Sequence, residues 1–348
     1  MYSGLAGGTA FYYGMQTVTA MRLDHPWLIL FLPLAGVLIV RLYHLLHDEK
    51  DTGTNLVLSA IHSNENIPLR MAPLIFIATL LTHLFGGSAG REGAALQLGG
   101  SIGNSLGKLF HLDEKDQHIM IMCGMSAAFS ALFGTPLAAA VFSMEVVSVG
   151  IMHYSALVPC VIASLTAHGI ASACGITPEI FPIASIPAFT AKNALIIGIF
   201  AVLCALVSIL FCTTLHNAER LYKRFFKNPY VRALAGGLIV IGLTMLVGNQ
   251  TYNGTGMNII TGCMEGKTVF PLAFLLKMVF TAATLGAGYK GGEIVPTLFI
   301  GSTFGTFFAS AFGCSIPLCA AVGMGAVFCG VTQQSDHLSH DLFRTVWF

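Results

Sequence analysis

The chain has 348 residues, 55% of them hydrophobic and only 9% charged, and its formal net charge is +1. Soluble domains carry about 25% charged residues, so this composition excludes an ordinary water-soluble fold, and the near-neutral balance offers nucleic acid no electrostatic footing. Positions 119–144, 154–177 and 194–215 contain no Asp, Glu, Lys or Arg, and each run is long enough to span hydrocarbon, which takes roughly 20 apolar residues. The ~10-residue alternating segments of a membrane β-barrel are absent. The chain therefore reads as a polytopic, all-α membrane protein in a lipid bilayer.

In chain order, apolar runs and turn residues predict helices at 1–22, 26–47, 67–85, 92–110, 117–131, 135–149, 153–172, 189–226, 230–248, 269–285, 294–312 and 317–331. Short amphipathic pieces are predicted near 54–62 and 256–264. The N-terminus is apolar and Gly-rich without a basic stretch, so no cleaved signal peptide is expected. Several helices are too short to cross alone. Irregular backbone at membrane depth is tolerated only inside protein or beside a polar cavity, so half-helices meeting in the interior are expected. Charges gather at 41–51, 108–116 and 219–232. The last cluster holds Arg220, Lys223, Arg224, Lys227 and Arg232 and is the best cytoplasmic candidate. Nine cysteines are scattered without a CxxC pair, and the twelve histidines show no metal spacing. No cofactor or metal is expected.

Two segments look like copies of each other. Gly90-Arg91-Glu92-Gly93-Ala94-Ala95-Leu96 runs on to Gly99-Gly100-Ser101-Ile102-Gly103. Gly292-Glu293-Ile294-Val295-Pro296-Thr297-Leu298 runs on to Gly301-Ser302-Thr303-Phe304-Gly305, at an offset of 202. Gly53-Thr54-Asn55 pairs similarly with Gly256-Met257-Asn258, and Gly124-Met125-Ser126 with Gly323-Met324-Gly325. Matched blocks in the same order imply a duplication. Paired broken helices in a membrane chain point to a transport site near the midplane. The boundaries read 1–178 for the first repeat, 179–187 for a linker, 188–332 for the second repeat and 333–348 for a divergent polar tail. The second repeat is expected to be incomplete after Thr332.

Glu92 carries the chemistry. It opens an apolar helix behind Gly86-Gly87-Ser88-Ala89-Gly90, and a helix N-terminus attracts anions through its N–H groups and dipole. A tethered carboxylate can occupy that place as a built-in anion. Burial and the dipole act on its ionisation in opposite senses, so it can change protonation as a solute anion arrives. The competing reading is a surface capping Glu paired with Arg91. Glu293 sits at the matching break, either as a second protonatable carboxylate or as a partner for Lys290 or Arg91. Glu145, late in an apolar helix, reads as structural.

Gly90-Arg91-Glu92-Gly93, Gly134-Thr135-Pro136-Leu137-Ala138 with Phe142 and Glu145, and Gly291-Gly292-Glu293-Ile294-Val295-Pro296 together resemble the CLC chloride channel and transporter family. The resemblance runs from residue 1 to Thr332. It implies an inverted-repeat bundle with broken helices meeting at the membrane midplane, a homodimer with one anion pathway per subunit, and chloride or fluoride with protons as the transported species. By position it implies Glu92 as the gating glutamate and Gly53, Thr54 and Asn55 as the first anion loop. Gly90, Arg91 and Gly93 belong to the second, and Ile294 and Val295 are the amide donors of the third. The family's internal proton glutamate falls at Val146, and its C-terminal tyrosine and last helix lie beyond Phe348. The shortened second repeat makes weak dimerisation an expectation.

Glu293, together with the departure of the first loop from the chloride-selective Gly-Ser-Gly-Ile-Pro pattern, resembles the fluoride/proton antiporter branch. Proton-coupled exchange is one reading and a passive anion channel of the same fold is another. A third is an intramembrane serine hydrolase, since Gly86-x-Ser88-x-Gly90 fits a nucleophile elbow with His83 and His168 available; such an elbow needs a strand before it. Gly286-x-Gly288-x-x-Gly291 matches a dinucleotide fingerprint but lacks a βαβ setting. Asn253-Gly254-Thr255 is a formal glycosylation sequon.

Overall fold

The computed structural model describes residues 2–46, 67–147, 153–177, 181, 183 and 190–337. Among them there is no extended strand, and the α-helices fall into two units. The first unit holds α1 (Tyr2–Asp24), α2 (Leu32–Leu45), α3 (Met71–Leu84), α4 (Glu92–Leu109), α5 (Glu114–Phe133), α6 (Pro136–Glu145) and α7 (Tyr154–Ala173), with the short segment Tyr289–Gly292. The second holds α8 (Ala191–Phe225), α9 (Pro229–Val247), α10 (Met257–Met264), α11 (Ala273–Gly286), α12 (Ile294–Phe312) and α13 (Ile316–His337), with Gly87–Gly90.

Local chemistry sets the helix ends. Asp113 accepts the Asp116 N–H at 2.9 Å to open α5, and Gly134, at φ 68°, closes it. Thr190 caps α8 through the Asn193 N–H at 3.2 Å, and Asn228 caps α9 through Tyr230 with Pro229 in the first turn. These are the residue types that satisfy the unpaired amides and carbonyls of helix termini. The predicted helix at 26–47 is divided into a 3₁₀ segment, Pro26–Phe31, and α2. Pro33 lacks the N–H that would continue an α ladder, and its ring crowds the preceding turn. At the other end of the chain, α13 runs past Thr332 to His337. Residues 333–337 are polar but include no Gly or Pro, so nothing in their backbone chemistry breaks the helix.

Within the first unit, α4 and α5 meet backbone to backbone. A Cβ placed on Gly99 would overlap the Gly124 carbonyl, and one on Gly103 would overlap the Met120 carbonyl. Within the second unit, α12 and α13 repeat the contact, Gly301 on the Gly323 carbonyl and Gly305 on the Cys319 carbonyl. Only glycine permits that approach, and small residues are the usual means by which membrane helices associate. The packed cores around these seams differ. The first is built largely of small and aliphatic groups such as Ala94, Ala95, Leu98 and Ala128, with Phe11. The second is aromatic, with the Phe200 and Phe308 rings 4.6 Å apart.

Serine hydroxyls tie further helices together. In the first unit, Ser126 and Ser130 of α5 donate to the Cys160 and Ser164 carbonyls of α7 at 3.1 and 2.8 Å. In the second, Ser208 of α8 donates to the Val327 carbonyl of α13 at 3.2 Å. Among the described residues, five segments are long and apolar enough to cross a membrane: Pro26–Leu45, Tyr154–Ala173, Asn193–Phe225, Pro229–Val247 and Ile294–Phe312. Leu195, Val202 and Leu206 of α8 stay exposed, as expected of a face turned to lipid.

Candidate functional site

In the first unit Glu92 is the first residue of α4 and is wholly buried. Its carboxylate turns back over the break, where one oxygen accepts the Arg91 N–H at 2.9 Å and the other lies 3.7 Å from Arg91 Nε. The Arg91 guanidinium sits over the Tyr12 ring, 5.7 Å from its centroid. The first ladder bond of α4 is Ala95 N–H to the Arg91 carbonyl at 3.1 Å. The amides of Glu92, Gly93 and Ala94 therefore precede the ladder and form the positive end of the helix. Gly292 packs against these amides, and a Cβ on it would come within 2.6 Å of Gly93 N. The surface-cap reading of Glu92 is corrected in part: the contact with Arg91 exists, but in the interior. Burial at an amide-rich helix start is the setting in which a carboxylate acts as a tethered anion.

In the second unit Glu293 is the N-cap of α12 and is partly buried, with Ile294 and Val295 buried behind it. The Glu293 carbonyl accepts both the N–H and the hydroxyl of Thr297, at 2.9 and 2.8 Å. The offset of 202 sets Ile294 opposite Glu92 and Glu293 opposite Arg91. The second carboxylate thus stands one residue earlier, at the cap, where the first repeat has its arginine. Gly90 belongs to the segment Gly87–Gly90, which is held by Ser88. The Ser88 N–H donates to Thr284 Oγ1 at 3.0 Å, and its hydroxyl lies 3.1 Å from Thr281 Oγ1.

Gly53, Thr54 and Asn55 lie outside the described residues. Glu145 ends α6 in an exposed position, and Val146 is its C-cap. Ser88 follows a helix rather than a strand, and its hydroxyl is engaged with a threonine, which removes the geometry of a nucleophile elbow. His83 Nδ1 is likewise spent on the Thr79 carbonyl of its own helix at 2.9 Å. Asn253 of the sequon is buried, with its amide 3.2 Å from Thr244 Oγ1, and is not presented to solvent. Among the described residues, no three His, Cys, Asp or Glu side chains are grouped to hold a metal.

One polar group went unnoticed in the sequence. Lys277 of α11 is fully buried and donates to the Tyr252 and Gly254 carbonyls at 3.1 and 2.6 Å. The available signal was a lone ionisable residue in an apolar helix, which by default marks a functional position.

Residues 30–335 match the voltage-gated chloride channel family. A chloride/fluoride channel protein of Pseudomonas syringae pv. tomato is 36% identical over 338 residues, covering 94% of this chain and 75% of that one. The crystal structure of a CLC-type fluoride/proton antiporter superposes with a TM-score of 0.90 at 36% identity, covering 94% of this chain and 84% of that one. A slow cyanobacterial Cl⁻/H⁺ antiporter shares the fold, with a TM-score of 0.77 at 20% identity over 93% of this chain and 83% of its own. The match and the five apolar spans make this an integral, multi-pass membrane protein.

Proposed function

Because the chain belongs to the voltage-gated chloride channel (CLC) family, we propose that it moves small monovalent anions, chloride or fluoride, across a membrane in exchange for protons, with Glu92 as the gate. The observation that carries this reading is the Glu92 carboxylate, buried at the head of α4 and accepting the Arg91 N–H. In its ionised form the side chain occupies the place that the helix start offers to an anion. Protonation cancels its charge and weakens its hold on the N–H, so an arriving halide replaces it. The proton then leaves on the opposite side as the carboxylate returns.

Glu293 is the second protonatable group, and Ile294 and Val295 with Gly53, Thr54, Asn55, Gly90, Arg91 and Gly93 supply the backbone that meets the anion. Sequence identity with a chloride/fluoride channel protein and with a CLC-type fluoride/proton antiporter supports fluoride as one substrate. The homodimer that the family resemblance implies belongs to this reading as an assembly still to be tested, with each subunit built from repeats at 1–178 and 188–332 around a 179–187 linker. Purified protein in liposomes, with fluoride, chloride and proton fluxes recorded together, tests the reading. Coupled proton movement that is lost in Glu92→Gln supports it, and intact coupling in that variant overturns it. A passive channel is favoured by one observation, Val146 at the position of the family's internal proton glutamate. Uphill proton movement driven by an anion gradient decides against that alternative.

A further inference from the structure

α11 carries a polar stripe on an otherwise apolar helix. Lys277, Thr281 and Thr284 follow one another at spacings of four and three residues, which places them on one helix face, and all three are fully buried. The stripe grips two stretches of backbone. Lys277 Nζ donates to the carbonyls of Tyr252 and Gly254 and lies 5.2 Å from the centroid of the Phe299 ring. Thr281 and Thr284 hold the hydroxyl and the N–H of Ser88. The two stretches are also joined directly, because the Gly254 N–H donates to the Gly87 carbonyl at 3.0 Å. Gly254 is therefore fixed through both its carbonyl and its N–H. Two residues on, Gly256 starts α10 at φ 77°, and a Cβ there would strike the Phe299 ring at 2.6 Å.

The first repeat shows that packing alone does not call for a lysine here. At the offset of 202, Lys277 corresponds to Ile75, while Thr281 and Thr284 correspond to Thr79 and Thr82. Ile75 is itself buried, so an aliphatic side chain fills the equivalent place on α3. Burying an ammonium is costly unless its hydrogen bonds are satisfied, and here two carbonyls and an aromatic face serve it. The segment it secures, Gly87–Gly90, leads straight into Arg91 and Glu92.

We propose that Lys277, acting with Thr281 and Thr284, is the positioning residue of the gate: it fixes the Gly87–Gly90 lead-in through Gly254 and so sets where α4 starts and where the Glu92 carboxylate lies. This inference rests on the reading of Glu92 as the gate. Its test uses the full chain in liposomes, with fluoride and proton fluxes measured for wild type, Glu92→Gln, Lys277→Met and Lys277→Arg. Displacing a reacting group by ~1 Å can cost about 100-fold in rate. Lys277→Met should accordingly lower proton flux about tenfold more than fluoride flux, and Lys277→Arg should restore much of the ratio.

If Glu92→Gln keeps proton coupling, the gate reading fails and this inference falls with it. If Glu92→Gln uncouples while Lys277→Met keeps the wild-type ratio, the positioning role alone is overturned. Equal loss of both fluxes with an unchanged ratio also overturns it, since that is the mark of a merely structural residue. Where Lys277→Met does not yield folded protein, the Thr281→Val/Thr284→Val double variant decides: a lowered ratio supports the role, and an unchanged one refutes it.

Discussion

In the first unit Gly99 of α4 rests on the Gly124 carbonyl of α5, and in the second Gly301 of α12 rests on the Gly323 carbonyl of α13. At the heads of the same helices the copies part. α4 is capped by Arg91 and begins with Glu92, whereas α12 is capped by Glu293 and begins with Ile294. The copies part again at the position that is the apolar Ile75 on α3 of the first repeat and Lys277 on α11 of the second. A backbone-to-backbone seam tolerates no added atom, so after duplication both copies are held to glycine. The helix heads carry charge instead, and the two copies carry it differently: an arginine cap and a glutamate start on α4, a glutamate cap and an isoleucine start on α12.

Breaking the shared seam should have the largest effect. Gly99→Val and Gly301→Val each drive a side chain into a facing carbonyl, and overpacking of this kind costs about 3 kcal/mol. Both variants should lose monodisperse protein on size exclusion to a similar degree. A tolerant second seam would show that the two contacts are not equivalent.

The helix heads give the next effect. Removing a general acid or base costs about 100-fold or more, so Glu293→Gln should slow proton-coupled fluoride flux by about that factor while passive anion binding persists. A fluoride-to-proton ratio and rate equal to wild type would remove Glu293 from the proton path.

Smaller effects separate the interhelical ties. Ser126→Ala deletes the hydrogen bond to the Cys160 carbonyl; such bonds in membrane proteins average about 0.6 kcal/mol. Ser208→Ala deletes a hydroxyl that also bonds the Cys204 carbonyl of its own helix, so its loss should be no greater. Both are readable as shifts in denaturation midpoint in detergent. Smallest of all is Glu219→Ala, which breaks an exposed i,i+4 pair with Lys223 of the kind worth about 0.3–0.5 kcal/mol.

Much of this was legible in the sequence because the signals are local. Uncharged apolar runs mark the helices, and the glycine breaks before Glu92 and Ile294 locate the heads of α4 and α12 to the residue. The repeated Gly99/Gly301 and Gly124/Gly323 positions were visible as a pattern, and the structure supplies their reason in a shared contact. What stayed hidden depends on long-range pairing. Ser88 meets Thr281 and Thr284 across 193 and 196 positions, and no spacing rule links them. The 3₁₀ segment at Pro26–Phe31 was hidden differently, because hydropathy continues unbroken through a backbone change that Pro33 imposes.

The most direct test of the central claim is the proton flux that accompanies fluoride movement through Glu92→Gln in liposomes. A carboxamide keeps the shape of the side chain but neither ionises nor carries a proton. Fluoride should still run down its gradient, with no proton movement in the opposite direction. Proton flux that persists at the wild-type ratio would contradict Glu92 as the group that trades places with the anion.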